Sequence, residues 1–253
     1  MKREDVKKGI FLLPSLLSCL NIFCGFYAVI ASFNGKFYQA AIAIVLSICF
    51  DMLDGRVARM TNTTSEFGLQ LDSLADAISF CLAPAVLSYL WVLTPFGRVG
   101  WMAAFLFLIC GVLRLARFNC QTGLVRSKGF IGLPTPAAAG FIATLAIFTD
   151  DIFAVERIHP FILVFVVFLL AFLMVSNIKY ENFKSVDLRE KKPFSILVFV
   201  VLAIYIIATI PQIMLFFLAC VYVSSGLAGS FFPWKKFRKE VTKEAEDAGS
   251  IKP

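Results

Sequence analysis

Residues 51–76 read DMLDGRVARMTNTTSEFGLQLDSLAD and set four aspartates between long apolar runs. A lone charge at mid-bilayer costs at least ~2.5 to 3.5 kcal/mol, so these carboxylates must be gathered, neutralised and kept near water. The flanking runs, 10–33, 37–60, 68–93 and 99–118, have about the length that one bilayer crossing needs. A chain without water around its backbone folds there as helices or a closed barrel. On helices, Asp51 and Asp54, three apart, project from one face, and so do Asp72 and Asp76, four apart. The polar segment 61–66 between the pairs reads as a turn, which makes the two helices antiparallel neighbours and lets the carboxylates converge at one interface. Clustered oxygens suit hard divalent cations such as Mg²⁺, Mn²⁺ and Ca²⁺. A buried ion-pair network, as in a transporter, is the other reading; Arg56 and Arg59 are the only nearby cations and cannot balance four acids.

With 59% apolar residues and 28 phenylalanines, the sequence is far from the ~45 to 50% of soluble domains, and bilayer is its solvent. Further runs at 137–149, 158–178 and 194–232 follow, the last too long to cross once and broken at Pro211-Gln212. The expected fold is all-α, a polytopic bundle of about eight transmembrane spans. Residues 1–234 form one membrane domain and 235–253 a polar cytoplasmic tail. The first run is too long for the core of a cleavable signal. Of the 24 lysines and arginines, all but Lys36, Arg98 and Arg157 then fall on one side, which puts both termini and the carboxylates in the cytoplasm. Asn62-Thr63-Thr64, a glycosylation-like triplet, lies on that side and is incidental. The net charge of +7 is spread over run ends and reads as anchoring at an anionic membrane surface, not as a nucleic-acid site. The seven cysteines show no paired spacing and read as packing residues, which disfavours zinc or redox chemistry. His159 is the single histidine, which argues against a histidine-based triad.

The same stretch spells D-x-x-D-G-x-x-A-R-x8-G-x3-D-x3-D through Asp51, Asp54, Gly55, Ala58, Arg59, Gly68, Asp72 and Asp76. In this it resembles the signature of the CDP-alcohol phosphotransferases, with no position departing from the pattern. The resemblance implies that the four aspartates ligate two divalent ions, Mg²⁺ or Mn²⁺ with Ca²⁺ as a bound substitute. It implies also that Asp76 accepts the proton of the incoming alcohol. A carboxylate among like charges is a sensible base on physical grounds too. Gly55, Ala58 and Gly68 read either as helix-packing residues or as the small positions that admit cytidine diphosphate, and their place in the motif favours the second. Arg59 is either a snorkelling interfacial arginine or, as the resemblance implies, a partner of the donor phosphate. In the first run Pro14, Ser15, Ser18 and Asn21 make a polar stripe at helical spacing, pointing either to helix–helix hydrogen bonds or to a wall of the nucleotide pocket.

The acceptor rests on other stretches. LPSLLSCLNIFCGF, RLARFN, FIGLPTPAAAG and MVSNIKYENFK look like the integral-membrane phosphatidylserine synthases within that family. The resemblance covers residues 10 to about 185 and implies transfer from CDP-diacylglycerol to L-serine, in a homodimer of the cytoplasmic membrane whose active site faces the cytoplasm. Inositol phosphate or glycerol phosphate is the alternative acceptor, and a cation- or proton-coupled transporter the alternative of another class. Serine brings a carboxylate, which Arg114 and Arg117, three apart, can face together; both also read as positive-inside anchors. Asn119, Arg126 and Lys128 are weaker candidates for the same pocket, since bases beside glycines also meet lipid phosphates.

Overall fold

The structure, a computed structural model, describes residues 3–61, 65–122, 130–152, 160–180 and 211–231. The apolar runs are helices: α1 (Arg3–Phe33), α2 (Phe37–Met60), α3 (Glu66–Asp76), α4 (Ala83–Ser88), α5 (Arg98–Thr122), α6 (Thr135–Ile152), α7 (Pro160–Val175) and α8 (Pro211–Phe231). Three stretches, Pro14–Phe33, Glu66–Phe96 and Arg98–Cys120, are long and apolar enough to cross a membrane, and Thr135–Asp150, Phe161–Val175 and Gln212–Gly226 are shorter apolar helices.

The most extensive helix contact joins α1 to α2, which double back on each other after Asn34 and Gly35. Ala28 and Ala31 of α1 and Ala40, Ala41 and Ala43 of α2 are all buried in the core. Small side chains matter here because packing distance, not apolar transfer, drives helix association in lipid. Gly25 takes this furthest: a Cβ there would collide with Ser79, whose hydroxyl donates to the Asn21 carbonyl at 2.9 Å.

Ser79 belongs to Glu66–Phe96, one helical rod that changes pitch. Between α3 and α4, Ala77–Leu82 is π-helical, and Tyr89–Leu93 and Thr94–Phe96 continue the rod as π and 3₁₀ turns. Pro84 gives a physical reason for the first of these. It has no N–H to donate and its ring crowds the carbonyl four residues earlier, and a wider turn relieves both. The widening begins directly after Asp76, and such turns are frequent at functional sites.

Phe80, Phe107, Ile44, Leu87, Leu163 and Leu170 fill the core, while Phe23, Phe26, Phe105, Phe161, Phe165 and Phe172 face outward. Exposed aromatics on several helices are what a lipid-facing surface requires. Phe216 fastens α8 to α6, with its ring centroid 4.8 Å from Phe148 and 5.6 Å from Phe141.

The fold is all-helical as expected, with one boundary corrected: the sixth run leaves the helix at Val175, short of residue 178. A pair of two-residue strands follows, β1 (Phe130–Ile131) pairing antiparallel with β2 (Lys179–Tyr180). Backbone bonding explains both: Gly132 N donates to Ile178 O at 2.8 Å and Leu133 N to Leu173 O at 3.0 Å, so the chain is satisfied without further helical turns. Gly132 is required there, with φ at 82° and the Met174 carbonyl where a Cβ would stand. α8 is described from Pro211 onward, and the stretch before the expected break lies outside the described residues. The seventh run at 194–210, the tail at 235–253, the triplet at 62–64, and Arg126, Lys128 and His159 lie outside the described residues.

Candidate active site

α2 ends at Met60, and α3 starts at Glu66 behind an N-cap, the Ser65 hydroxyl accepting from Gly68 N at 3.0 Å. A cap of this kind satisfies one of the otherwise orphaned first-turn N–H groups and fixes where the helix begins. The start position decides which way Asp72 and Asp76 face. They meet Asp51 of α2, one carboxylate oxygen from each lying within 4.8 Å of the others. At an effective dielectric of ~20, each ionised pair at that spacing repels by roughly 3 kcal/mol. Asp72 Oδ1 and Asp76 Oδ1 are buried without a hydrogen-bond partner among the described residues. Two orphaned anionic oxygens in a group of three carboxylates fit a hard divalent cation.

Asp54 is built differently. It is 5% exposed, lies outside that group of three, and accepts the Ser18 hydroxyl of α1 on Oδ2 at 3.0 Å. Asp54 and Asp72 line a cleft of about 200 Å³ that opens to solvent. Gly55, Ala58 and Gly68 form its walls, so backbone there is within reach of a ligand, and Arg59 stands exposed at the rim. The polar stripe of α1 divides: Pro14, Ser15 and Ser18 line the cleft, whereas Asn21 is wholly buried next to Ser79 with neither amide atom partnered. Ser65 and Leu69 also line the cleft and were missed. The N-cap pattern of a serine just before Glu66 was the available signal for Ser65.

On the far side of Asp76 lies Arg114 of α5, 8% exposed. Its Nη1 donates to Thr135 Oγ1 at a long 3.4 Å, its Nε has no partner, and Asp76, Cys81 and Tyr222 are its electrostatic neighbours. Arg117 does not join it; its Nη2 donates to Asn177 Oδ1 at 2.9 Å. Asn119 Nδ2 donates to Ser73 Oγ at 2.9 Å, and that hydroxyl donates to Leu69 O at 3.0 Å. Asn119 thus ties α5 to α3 between Asp72 and Asp76. Thr135 and Tyr222, on helices far along the chain, carried no signal in the sequence that linked them to Arg114.

The model of the family described as CDP-alcohol phosphatidyltransferase matches residues 11–173. The chain is 40% identical over 190 residues to a CDP-diacylglycerol–serine O-phosphatidyltransferase of Helicobacter pylori, covering 75% of this chain and 80% of the relative. It is 40% identical over 172 residues to an archaetidylserine synthase of Methanothermobacter thermautotrophicus, covering 67% and 70%. Among solved structures, the fold is similar to that of Mycobacterium tuberculosis phosphatidylinositol phosphate synthase, with a TM-score of 0.51 and 24% identity over 68% of this chain and 86% of the other.

Proposed function

The chain belongs to the CDP-alcohol phosphatidyltransferase family, and on that premise we propose that it transfers the phosphatidyl group of CDP-diacylglycerol to L-serine, releasing CMP and phosphatidylserine. The observation that carries the reading is the convergence of Asp51, Asp72 and Asp76, with two buried oxygens unpartnered, beside a cleft walled by Gly55, Ala58 and Gly68. Serine as acceptor is supported by the two relatives above, whose names differ in the lipid and share serine.

Asp51, Asp54, Asp72 and Asp76 are the residues to hold two divalent ions. When bound, Mg²⁺ or Mn²⁺ neutralises the diphosphate and stabilises the departing CMP. Arg59, at the rim, reaches a donor phosphate, and the small walls let cytidine diphosphate lie against backbone. Arg114 receives the serine carboxylate, to which its unpartnered Nε offers a donor. Arg117 and Asn119 act on that pocket through Asn177 and Ser73, holding α5 in place. As the serine oxygen attacks the phosphorus bearing diacylglycerol, Asp76 takes the hydroxyl proton. The phosphorus–oxygen bond to CMP breaks, and CMP leaves with the bonding pair. No covalent carrier is needed.

The site belongs to a polytopic enzyme of about eight spans in the cytoplasmic membrane, with both termini and the carboxylates on the cytoplasmic side, acting as a homodimer. Residues 1–234 are its membrane domain and 235–253 its polar tail. The distribution of lysine and arginine supports the orientation. The lipid donor is the reason for this setting, since acyl chains remain in the bilayer while the diphosphate reaches the carboxylates.

The test is purified protein with CDP-diacylglycerol, Mn²⁺ or Mg²⁺, and a panel of serine, inositol phosphate and glycerol phosphate. CMP release with serine alone is expected. Release with another acceptor would reassign the alcohol, and ion movement without CMP would make the protein a transporter. Chiral phosphorus should invert, and labelled CMP should not exchange into the donor without serine; retention or exchange would mean a covalent intermediate.

A further inference from the structure

Ser18 was read from sequence as either a helix–helix contact or a wall of the nucleotide pocket. We infer instead that it is a positioning residue, a hydroxyl on α1 that holds the Asp54 carboxylate in the orientation that cation binding needs. The inference rests on the metal-dependent reading above.

Three observations carry it. First, the Ser18–Asp54 hydrogen bond crosses from α1 to α2, with both side chains almost wholly buried, at 4% and 5% exposure. A serine donor on one oxygen of a buried carboxylate fixes its rotamer and leaves the other oxygen for a cation, as hydrogen-bonded carboxylate ligands do in metal sites generally. Second, Asp54 has a buried hydroxyl donor, whereas Asp72 and Asp76 each keep a buried oxygen with no hydrogen-bond partner among the described residues. Asp54 stands apart from the group of three and turns toward the cleft, where its orientation depends on α1. Third, α1 is closely packed below Ser18. It lies along α2, and a Cβ at Gly25 would collide with Ser79, so the close approach there fixes the height at which the hydroxyl is delivered.

The geometry also shows why the contact can be tuned. The Ser18 hydroxyl has one proton and two acceptors in reach, Asp54 Oδ2 at 3.0 Å and the Pro14 carbonyl at 3.2 Å. The shorter, charge-assisted bond prevails when Asp54 is ionised. A hydroxyl turned to Pro14 abandons Asp54.

The experiment measures Mn²⁺ binding to the full-length protein by the loss of the free-ion paramagnetic signal, in parallel with the Mn²⁺ dependence of CMP release. For Ser18→Ala, the Mn²⁺ concentration for half-saturation should rise about 10- to 100-fold in both, the usual cost of losing a hydrogen bond to a metal ligand. The CDP-diacylglycerol KM at saturating Mn²⁺ should stay near the parent value. In an Asp54→Asn background the same substitution should have no further effect on Mn²⁺ binding, because the bond it removes acts through that carboxylate. Unchanged Mn²⁺ affinity in Ser18→Ala, an equal loss in the Asp54→Asn background, or a change confined to the donor KM would overturn the inference. Failure of the parent protein to bind Mn²⁺ would instead strike the metal-dependent reading, so the two are separable.

Discussion

Asp51, Asp54, Asp72 and Asp76 come from one short stretch, and three of them converge around a single turn between α2 and α3, whereas Arg114, Thr135 and Tyr222 come from three helices spread from α5 to α8. The first region is clamped from outside by α1, through Ser18 on Asp54 and Gly25 against Ser79. The second has a long 3.4 Å bond and an unpartnered Nε in place of a clamp. The contrast teaches that the half proposed to perform the chemistry is locally encoded, while the half proposed to recognise the acceptor is drawn from distant helices and leaves valences open for a ligand.

The sharpest way to break this contrast is to remove the proposed base. Asp76→Asn should lower turnover by ~10² to 10⁴, the usual contribution of general-base assistance, with more lost if a metal leaves. CMP release at saturating substrates is the measurement, and thermal unfolding should confirm an intact fold. Turnover near the parent value would take the proton transfer away from this carboxylate.

Next in size is the acceptor side. Arg114→Ala should raise the serine KM by about 10- to 100-fold, as expected from losing a charge-assisted hydrogen bond of ~1.5 to 3 kcal/mol, while the donor KM holds. Equal effects on both substrates would mean that Arg114 supports the whole site and that the two regions are not separate.

A third substitution probes the clamp. Gly25→Leu forces a side chain against Ser79 and should cost ~1 to 3 kcal/mol of stability, with turnover falling for every acceptor alike. A selective loss for serine would contradict the division. Ser65→Ala comes after it, removing the cap of α3 at a cost of about 1 kcal/mol in unfolding measurements. Smallest is Arg117→Ala. Its bond to Asn177 is exposed, so the serine KM should change by less than about fivefold, in keeping with a contribution below ~1 kcal/mol. A large rise in the serine KM would restore the pairing of Arg114 and Arg117 that their spacing suggested.

Much of the carboxylate region was legible beforehand. The spacing of Asp51, Asp54, Asp72 and Asp76 projects onto helix faces by backbone geometry alone, and Gly55, Ala58 and Gly68 fall on the cleft wall that the motif suggested. What spacing did not convey is that Asp54 accepts the Ser18 hydroxyl of α1, or that Asn21 leaves the stripe for a buried place beside Ser79. On the other side, Arg114 and Arg117 share a helix end yet find Thr135 and Asn177, so adjacency on one helix did not translate into a common target. The strands at Phe130–Ile131 and Lys179–Tyr180 were invisible because two residues make no period.

By itself, the sequence determined that the chain is a helical membrane protein and that four aspartates stand in two pairs on neighbouring helices. Both follow from local rules: hydrocarbon leaves the backbone only its own hydrogen bonds, and helical pitch converts spacing into a shared face. The tertiary structure alone decided which helices meet beyond that hairpin, and so which residues surround Arg114 and which donor reaches Asp54. Apolar surfaces of similar composition are nearly interchangeable as packing partners until the small residues, close approaches and backbone turns of the whole bundle select one arrangement.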